Sequence, residues 1–95
     1  MAYEITLVMT NKLNLDELKK WSIRFGKFLE RLGAKDFLLK YHGKQKLKYF
    51  IKNNLHVSFL QVNFDILPEY LENIRMRLKF DSNVIRFLIF KTNQK

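Results

Sequence analysis

The chain of 95 residues contains no cysteine, one proline (Pro68) and three glycines. Without thiols, disulfides and thiolate metal sites are excluded. No apolar run approaches the roughly 20 residues that span a bilayer. No stretch rich in Gly, Pro or Ser marks a linker, so residues 1–95 read as a single domain. The start, Met1-Ala2-Tyr3-Glu4-Ile5, enters a strand-like pattern at once and carries an acid, which predicts neither a secretory signal nor an Arg-rich transit peptide. Acids are scarce as well: nine Asp and Glu stand against eighteen Lys and Arg, a formal net charge of +9. That surplus points to a polyanion, nucleic acid first.

The charge is sorted along the chain. Residues 40–54 hold Lys40, Lys44, Lys46, Lys48 and Lys52 and no acid, whereas residues 55–74 hold Asp65, Glu69 and Glu72 and neither Lys nor Arg. From Lys40 to Lys52 the even positions read Lys, His, Lys, Lys, Lys, Phe, Lys, while Phe37, Leu39, Tyr41, Leu47, Tyr49 and Ile51 are apolar. A strand sends successive side chains to opposite faces, so this segment is expected to bury one face and line the other with cations.

Tyr3 to Met9 alternates as a strand. Asn14 with Glu17 forms a capping-box pattern, and Gly33 supplies a stop. Between them Leu15, Leu18, Ser22, Phe25, Leu29 and Leu32, widened by Trp21 and Phe28, form the stripe of an amphipathic helix. Asp36 to about Ile51 reads as one long second strand with a bulge or kink at Gly43. Asn53-Asn54 suits a tight hairpin turn. That turn sets Lys52 opposite Leu55, Tyr49 opposite Ser58 and Leu47 opposite Leu60. Leu47 and Tyr49 are then expected beside Leu60, Val62 and Phe64, and the lysines beside Phe50, Val57 and Phe59. Pro68 starts a second helix with Leu71, Ile74 and Leu78 as its stripe. Val84 to Phe90 is the last strand, and Asn93-Gln94-Lys95 a frayed tail. The order βαββαβ predicts an α+β fold: a four-stranded antiparallel sheet, order 4-1-3-2, with two helices on one face, the ferredoxin-like arrangement. Sixteen extended residues reach about 50 Å, so the second hairpin must overhang the sheet or bend at Gly43.

Lysines on an edge strand also block intermolecular pairing, but five of them beside Phe50 and Phe59 exceed that need. The candidate RNA contacts are Lys40, Lys44, Lys46, Lys48 and Lys52, with Arg86 and Lys91 from the last strand. Phe50, Val57 and Phe59 make a candidate patch for a protein partner. Arg86 and Glu4 are expected on the open sheet face, where they pair with each other or Arg86 reaches a phosphate. Base stacking in the manner of a sheet-face single-stranded RNA-binding module lacks its residues, since the outward face of the first strand offers Glu4, Thr6 and Val8 and no ring. An acylphosphatase-type enzyme on the same topology would hold phosphate in a Gly-rich loop after the first strand, and Thr10-Asn11-Lys12-Leu13-Asn14 has no glycine. His42 and His56 have no evident carboxylate partner, and no metal-ligand spacing exists. The expectation is therefore no catalytic residue, cofactor, metal, membrane or small-molecule substrate.

Tyr3-Glu4-Ile5, then Gly43-Lys44-x-Lys46-Leu47-x-Tyr49-x-Ile51, then Asn83-Val84-Ile85-Arg86 occur in an order and spacing that resemble the bacterial-type small-subunit ribosomal protein six family, over essentially the whole chain. The resemblance implies a ferredoxin-like fold and a non-catalytic, structural role. It also implies assembly with ribosomal protein eighteen, among other small-subunit proteins, on the platform of the small-subunit ribosomal RNA. By that resemblance Lys44, Lys46 and Arg86 touch RNA and Tyr49 supports the strand. The chain departs from the family pattern at His42, Lys48 and Val57. Richness in Lys, Asn, Ile and Phe suits an AT-rich coding genome, so an organellar ribosome is expected, mitochondrial in preference to plastid, with a bacterial cytoplasm as the alternative.

Overall fold

The computed structural model describes residues 1–92; the tail expected at 93–95 lies outside the described residues. Strand β1 (Ala2–Thr10), helix α1 (Leu15–Arg31), strands β2 (Lys35–Ile51) and β3 (Asn54–Asp65), helix α2 (Leu71–Lys79) and strand β4 (Val84–Lys91) follow the expected order. The strands form one antiparallel sheet, β2-β3-β1-β4, which is the expected order read from its other edge. Among the described residues no helix is long and apolar enough to cross a membrane.

Local chemistry sets the helix ends. Asn14 Oδ1 accepts from Glu17 N at 2.8 Å and Glu17 Oε1 accepts from Asn14 N at 3.0 Å, so the capping box closes. At the other end Gly33, at φ +92°, lets its own N–H reach Glu30 O and that of Ala34 reach Leu29 O. Only glycine takes that backbone freely, which is why α1 stops there. Leu18, Trp21, Phe25 and Leu29 are buried against the sheet. Leu15, expected in that stripe, is 54% exposed and lines an open cleft between α1 and the sheet with Leu39, Tyr41 and Leu60. Pro68 begins a short 3-10 turn, Pro68–Tyr70, which runs into α2, and Ile74 and Leu78 are buried beside the α1 residues.

One sheet face carries the main core. Tyr3 pairs with Phe64, Ile5 with Val62 and Leu7 with Leu60, and all six join the helical residues in one cluster. At about 25 cal/mol per Å² of apolar area removed from water, this cluster is the main force holding the helices to the sheet. Trp21 Nε1–H donates to Asp81 Oδ2 at 2.6 Å and ties α1 to the turn before β4.

The hairpin differs from expectation in register and facing. The turn is at Lys52-Asn53 (φ +47° and +65°), with Ile51 opposite Asn54, one residue earlier than predicted. Asn54 Nδ2 donates to Lys52 O at 2.8 Å, so Asn54 braces the turn from the next strand instead of occupying it. The bulge expected at Gly43 is present. Tyr41 pairs with Leu60 but Gly43 pairs with Phe59, leaving His42 as the extra residue, and Gly43 has φ +88°. One inserted residue exchanges the faces of everything beyond it. Lys40 (opposite Gln61) therefore lies on the open face, while Lys44 (opposite Ser58) and Lys46 (opposite His56) lie on the other. Between Lys46–His56 and Ile51–Asn54 the register slips again. Leu47 and Ile51 consequently pack against Val8, Val57 and Ile85 on the open side, not beside Leu60, Val62 and Phe64. The arm curls: the longest dimension of the molecule is 34 Å, well short of a straight β2.

A side chain at position 43 meets no atom within 4 Å, so its cost is confined to the backbone. Gly43→Ala is expected to lower unfolding free energy by about 1–2 kcal/mol, read as a shifted midpoint in urea with an unchanged slope. An unchanged midpoint would mean that position 43 does not hold the left-handed conformation.

Candidate nucleic-acid interface

The open sheet face is built in three parts. Its centre is a polar ladder: Gln61 Nε2 donates to Glu4 Oε1 at 2.9 Å, Asn63 Nδ2 to the same oxygen at 3.3 Å, and His42 Nε2 meets Gln61 Oε1 at 2.9 Å. Glu4 lies opposite Phe90, while Arg86 lies opposite Val8, four residues along β1. Of the two alternatives for Arg86, the pair with Glu4 therefore does not form, and Arg86 remains exposed. Ile85 lies with Val8 and Val57 on the open side. The register shift between Val8 and Met9 gives its inward place to Val84, which lies opposite Met9.

Toward the hairpin lies the second apolar cluster, Val8, Val57 and Ile85 roofed by Leu47, Ile51 and Phe59. The candidate partner residues differ in exposure within the chain. Val57 is fully buried, Phe59 is half-buried, and Phe50 is 66% exposed. The curl of the hairpin covers Val57, a long-range event that strand alternation cannot foretell.

The cations divide into groups. Lys44, Lys46 and Lys48 are exposed along the arm, and among the described residues the one salt bridge joins the N-terminus to Asp65. The curl carries Lys52 back to the end of the sheet, where it lines a cleft of about 600 Å³ with Lys12 and Lys79. Lys52 also shares a neighbouring cleft with Arg86. Lys91 is not brought in, because it pairs with Tyr3 at the opposite end of β1. Lys12, Lys79 and Phe80 were missed in the sequence. Lys12 lies in the loop after β1, while Lys79 ends α2 and Phe80 follows it, and the folded-back hairpin brings Lys52 beside them.

The residues offer little for catalysis. Asn14 and Glu17 occupy each other's N–H groups at the start of α1, which removes two of the donors that an anion could meet after β1. His42 is bonded to Gln61, and His56 is exposed opposite Lys46. Among the described residues no three His, Asp or Glu side chains are grouped to hold a metal ion.

A basic ferredoxin-like domain whose cationic arm is unpaired among the described residues carries the electrostatic footprint of the class of proteins that associate with nucleic acid. The sequence pattern of ribosomal protein S6 matches residues 2–91, and the chain belongs to that family, a component of the small ribosomal subunit. The chain is 41% identical to small ribosomal subunit protein bS6c of Trieres chinensis, covering 92% of this chain and 91% of that one. It is 26% identical to bS6 of Rickettsia canadensis, covering 96% and 75%. The crystal structure of 30S ribosomal protein S6 from Thermotoga maritima superposes with a TM-score of 0.86 at 20% identity, covering 94% of this chain and 84% of that one, which shows the shared fold. These relatives are ribosomal proteins, not enzymes, so the acylphosphatase alternative falls. They are of plastid (bS6c) and bacterial (bS6) types, which corrects the preference for a mitochondrion: the plastid is favoured.

The two aromatic positions separate by substitution. Phe59→Asp buries a charge against Val8, Val57 and Ile85 and is expected to cost roughly 2 kcal/mol or more. Phe50→Asp is expected to stay within about 0.5 kcal/mol of the parent. Thermal or urea unfolding of the two variants checks this, and equal losses would place Phe50 in the packed cluster as well.

Proposed function

We propose that this protein, acting as one domain, binds small-subunit ribosomal RNA together with ribosomal protein eighteen in a plastid ribosome; a bacterial ribosome is the second setting. The observation that carries the RNA reading is the arm itself: Lys44, Lys46 and Lys48 are exposed, free of any acid among the described residues, and held on a hairpin that a bulge aims. Phosphate contacts by such lysines supply affinity without reading bases. Lys40 and Arg86 add charge on the open face, and Lys52 adds it at the hairpin tip. Lys91 joins them only if the RNA also passes the far end of β1.

The partner reading rests on apolar surface. Phe50 on the hairpin, half-buried Phe59 on the neighbouring strand β3, and Leu88 and Phe90 on the far edge strand each leave apolar area uncovered. Exposed aromatic side chains are enriched where one protein meets another. Ribosomal protein eighteen is the expected neighbour, with Phe50 as its main contact and Phe59, packed against the Val57 cluster, as the second. Other small-subunit proteins are the next candidates.

Replacing Lys44, Lys46 and Lys48 together by Gln should weaken binding to a small-subunit RNA fragment. The log–log salt slope should flatten by roughly 0.7–0.9 for each phosphate no longer neutralised. The same change at Lys19, Lys20 and Lys27 on the outer side of α1 should do much less. Filter binding across a salt series separates the cases: equal effects from both sets would mean that net charge alone acts and the arm only protects an edge. In the same way Phe50→Asp should weaken co-purification with ribosomal protein eighteen while leaving RNA slopes unchanged.

A further inference from the structure

The cleft at the end of the sheet has a chemistry that phosphate contact alone does not use. Its walls come from the loop after β1, the hairpin tip, and the end of α2 with the turn that follows, and they bring together Lys12, Lys52, Asn54, Lys79, Phe80 and Asp81. Phe80 is 74% exposed, the highest among the large apolar side chains, although it follows the buried Leu78 by two residues. Lys79 Nζ sits 5.9 Å from its ring centroid. The single acid is already committed: Asp81 Oδ2 accepts from Trp21 Nε1–H and Oδ1 from Asn83 N–H. None of the three lysines has a salt-bridge partner among the described residues.

An exposed aromatic ring with one lysine over it and two more lysines lining the same cleft matches a ligand with an apolar face and nearby negative charge. An unstacked nucleotide has both. A cleft of about 600 Å³ also falls within the ordinary range for a bound organic group. We propose that this cleft holds an unstacked nucleotide of single-stranded RNA, its base on the Phe80 ring and its flanking phosphates on Lys12, Lys52 and Lys79. This rests on the RNA-binding reading above but uses different residues on a different surface. Base–aromatic stacking tolerates any base, because each presents a π-face, so the site reads strandedness and not sequence. A helical segment gripped by the arm would then enter the cleft at a bulge, loop or end, where bases are free.

The test uses the whole chain with two probes, a labelled oligouridine RNA and a short blunt RNA duplex, followed by fluorescence anisotropy over a salt series. Phe80→Ala should weaken oligouridine binding about tenfold, leave its salt slope unchanged and leave duplex binding untouched. Phe80→Tyr should restore it. Replacing Lys12, Lys52 and Lys79 by Gln should instead flatten the oligouridine slope by roughly 0.7 for each phosphate no longer neutralised. Because Phe80 is exposed, these variants are expected to fold, and circular dichroism confirms that. Unchanged oligouridine affinity in Phe80→Ala overturns the nucleotide site. The arm would still stand as the RNA contact if Lys44, Lys46 and Lys48 were needed for the duplex. Competition by a polyglutamate peptide as strong as that by oligouridine, unaffected by Phe80→Ala, would make the cleft a groove for an acidic protein segment. Failure of the parent chain to bind either RNA overturns both readings together.

Discussion

A single surplus residue in β2 governs the half of this molecule that faces outward. With Tyr41 opposite Leu60 and Gly43 opposite Phe59, His42 has no partner residue on β3. The strand then continues with its faces exchanged. Before that point the helix-side residues are Leu39 and Tyr41; beyond it Lys44 and Lys46 take that side, and Leu47 moves to the open side. A regular strand would have sent the arm straight past the end of β1 and exposed Val8, Val57 and Ile85 to water. The curled hairpin instead roofs them with Leu47 and Ile51, and the apolar area so removed from water is what holds the curl closed. The bulge and the second cluster therefore depend on each other.

The curl also fixes the electrostatics. A net charge of +9 on 95 residues repels itself, and little internal pairing offsets it. Glu4, central on the open face, accepts from Gln61 and Asn63, and Asp81 accepts from Trp21 and Asn83. These acids satisfy neutral donors that folding would otherwise strand, and they leave the lysines free. A domain arranged this way gains stability from any polyanion that binds only its folded state. Its cations serve association more than folding.

What the sequence made legible follows from the range of each interaction. The helix caps, the stop at Gly33, the strand alternation of β1 and the bulge at Gly43 are settled by residues within a turn of one another, and all stand in the structure. The element order and sheet order followed from those. The hairpin register did not. Asn53 and Asn54 both tolerate positive φ, and choosing Lys52-Asn53 as the turn depends on how the whole β2 edge fits β3. Val57 looked exposed because alternation places it on the open face. That assignment is correct, yet a fold-back from ten residues earlier covers it. For the same reason the cleft was invisible: Lys12, Lys52 and Lys79 are joined by no local pattern.

Fold and function thus draw on separate parts of the chain. The Thermotoga maritima protein keeps this architecture at 20% identity, as expected when a backbone is specified by periodicity, caps and a bulge that many residues can supply. Surface chemistry is free to change on such a frame, and here it is arranged by the hairpin. Lys44 and Lys46 leave one side of β2, while Leu47 and Ile51, on the other, hold the apolar surface that includes Phe59. In the proposed assembly this division lets one thin hairpin meet RNA and a protein neighbour at once without either contact crowding the other. A strand of unbroken alternation would have put its five lysines and Phe59 on one face, where covering the phenylalanine with protein would also desolvate the charges. Separating the two sets avoids that penalty, and one glycine able to hold φ +88° makes the separation possible.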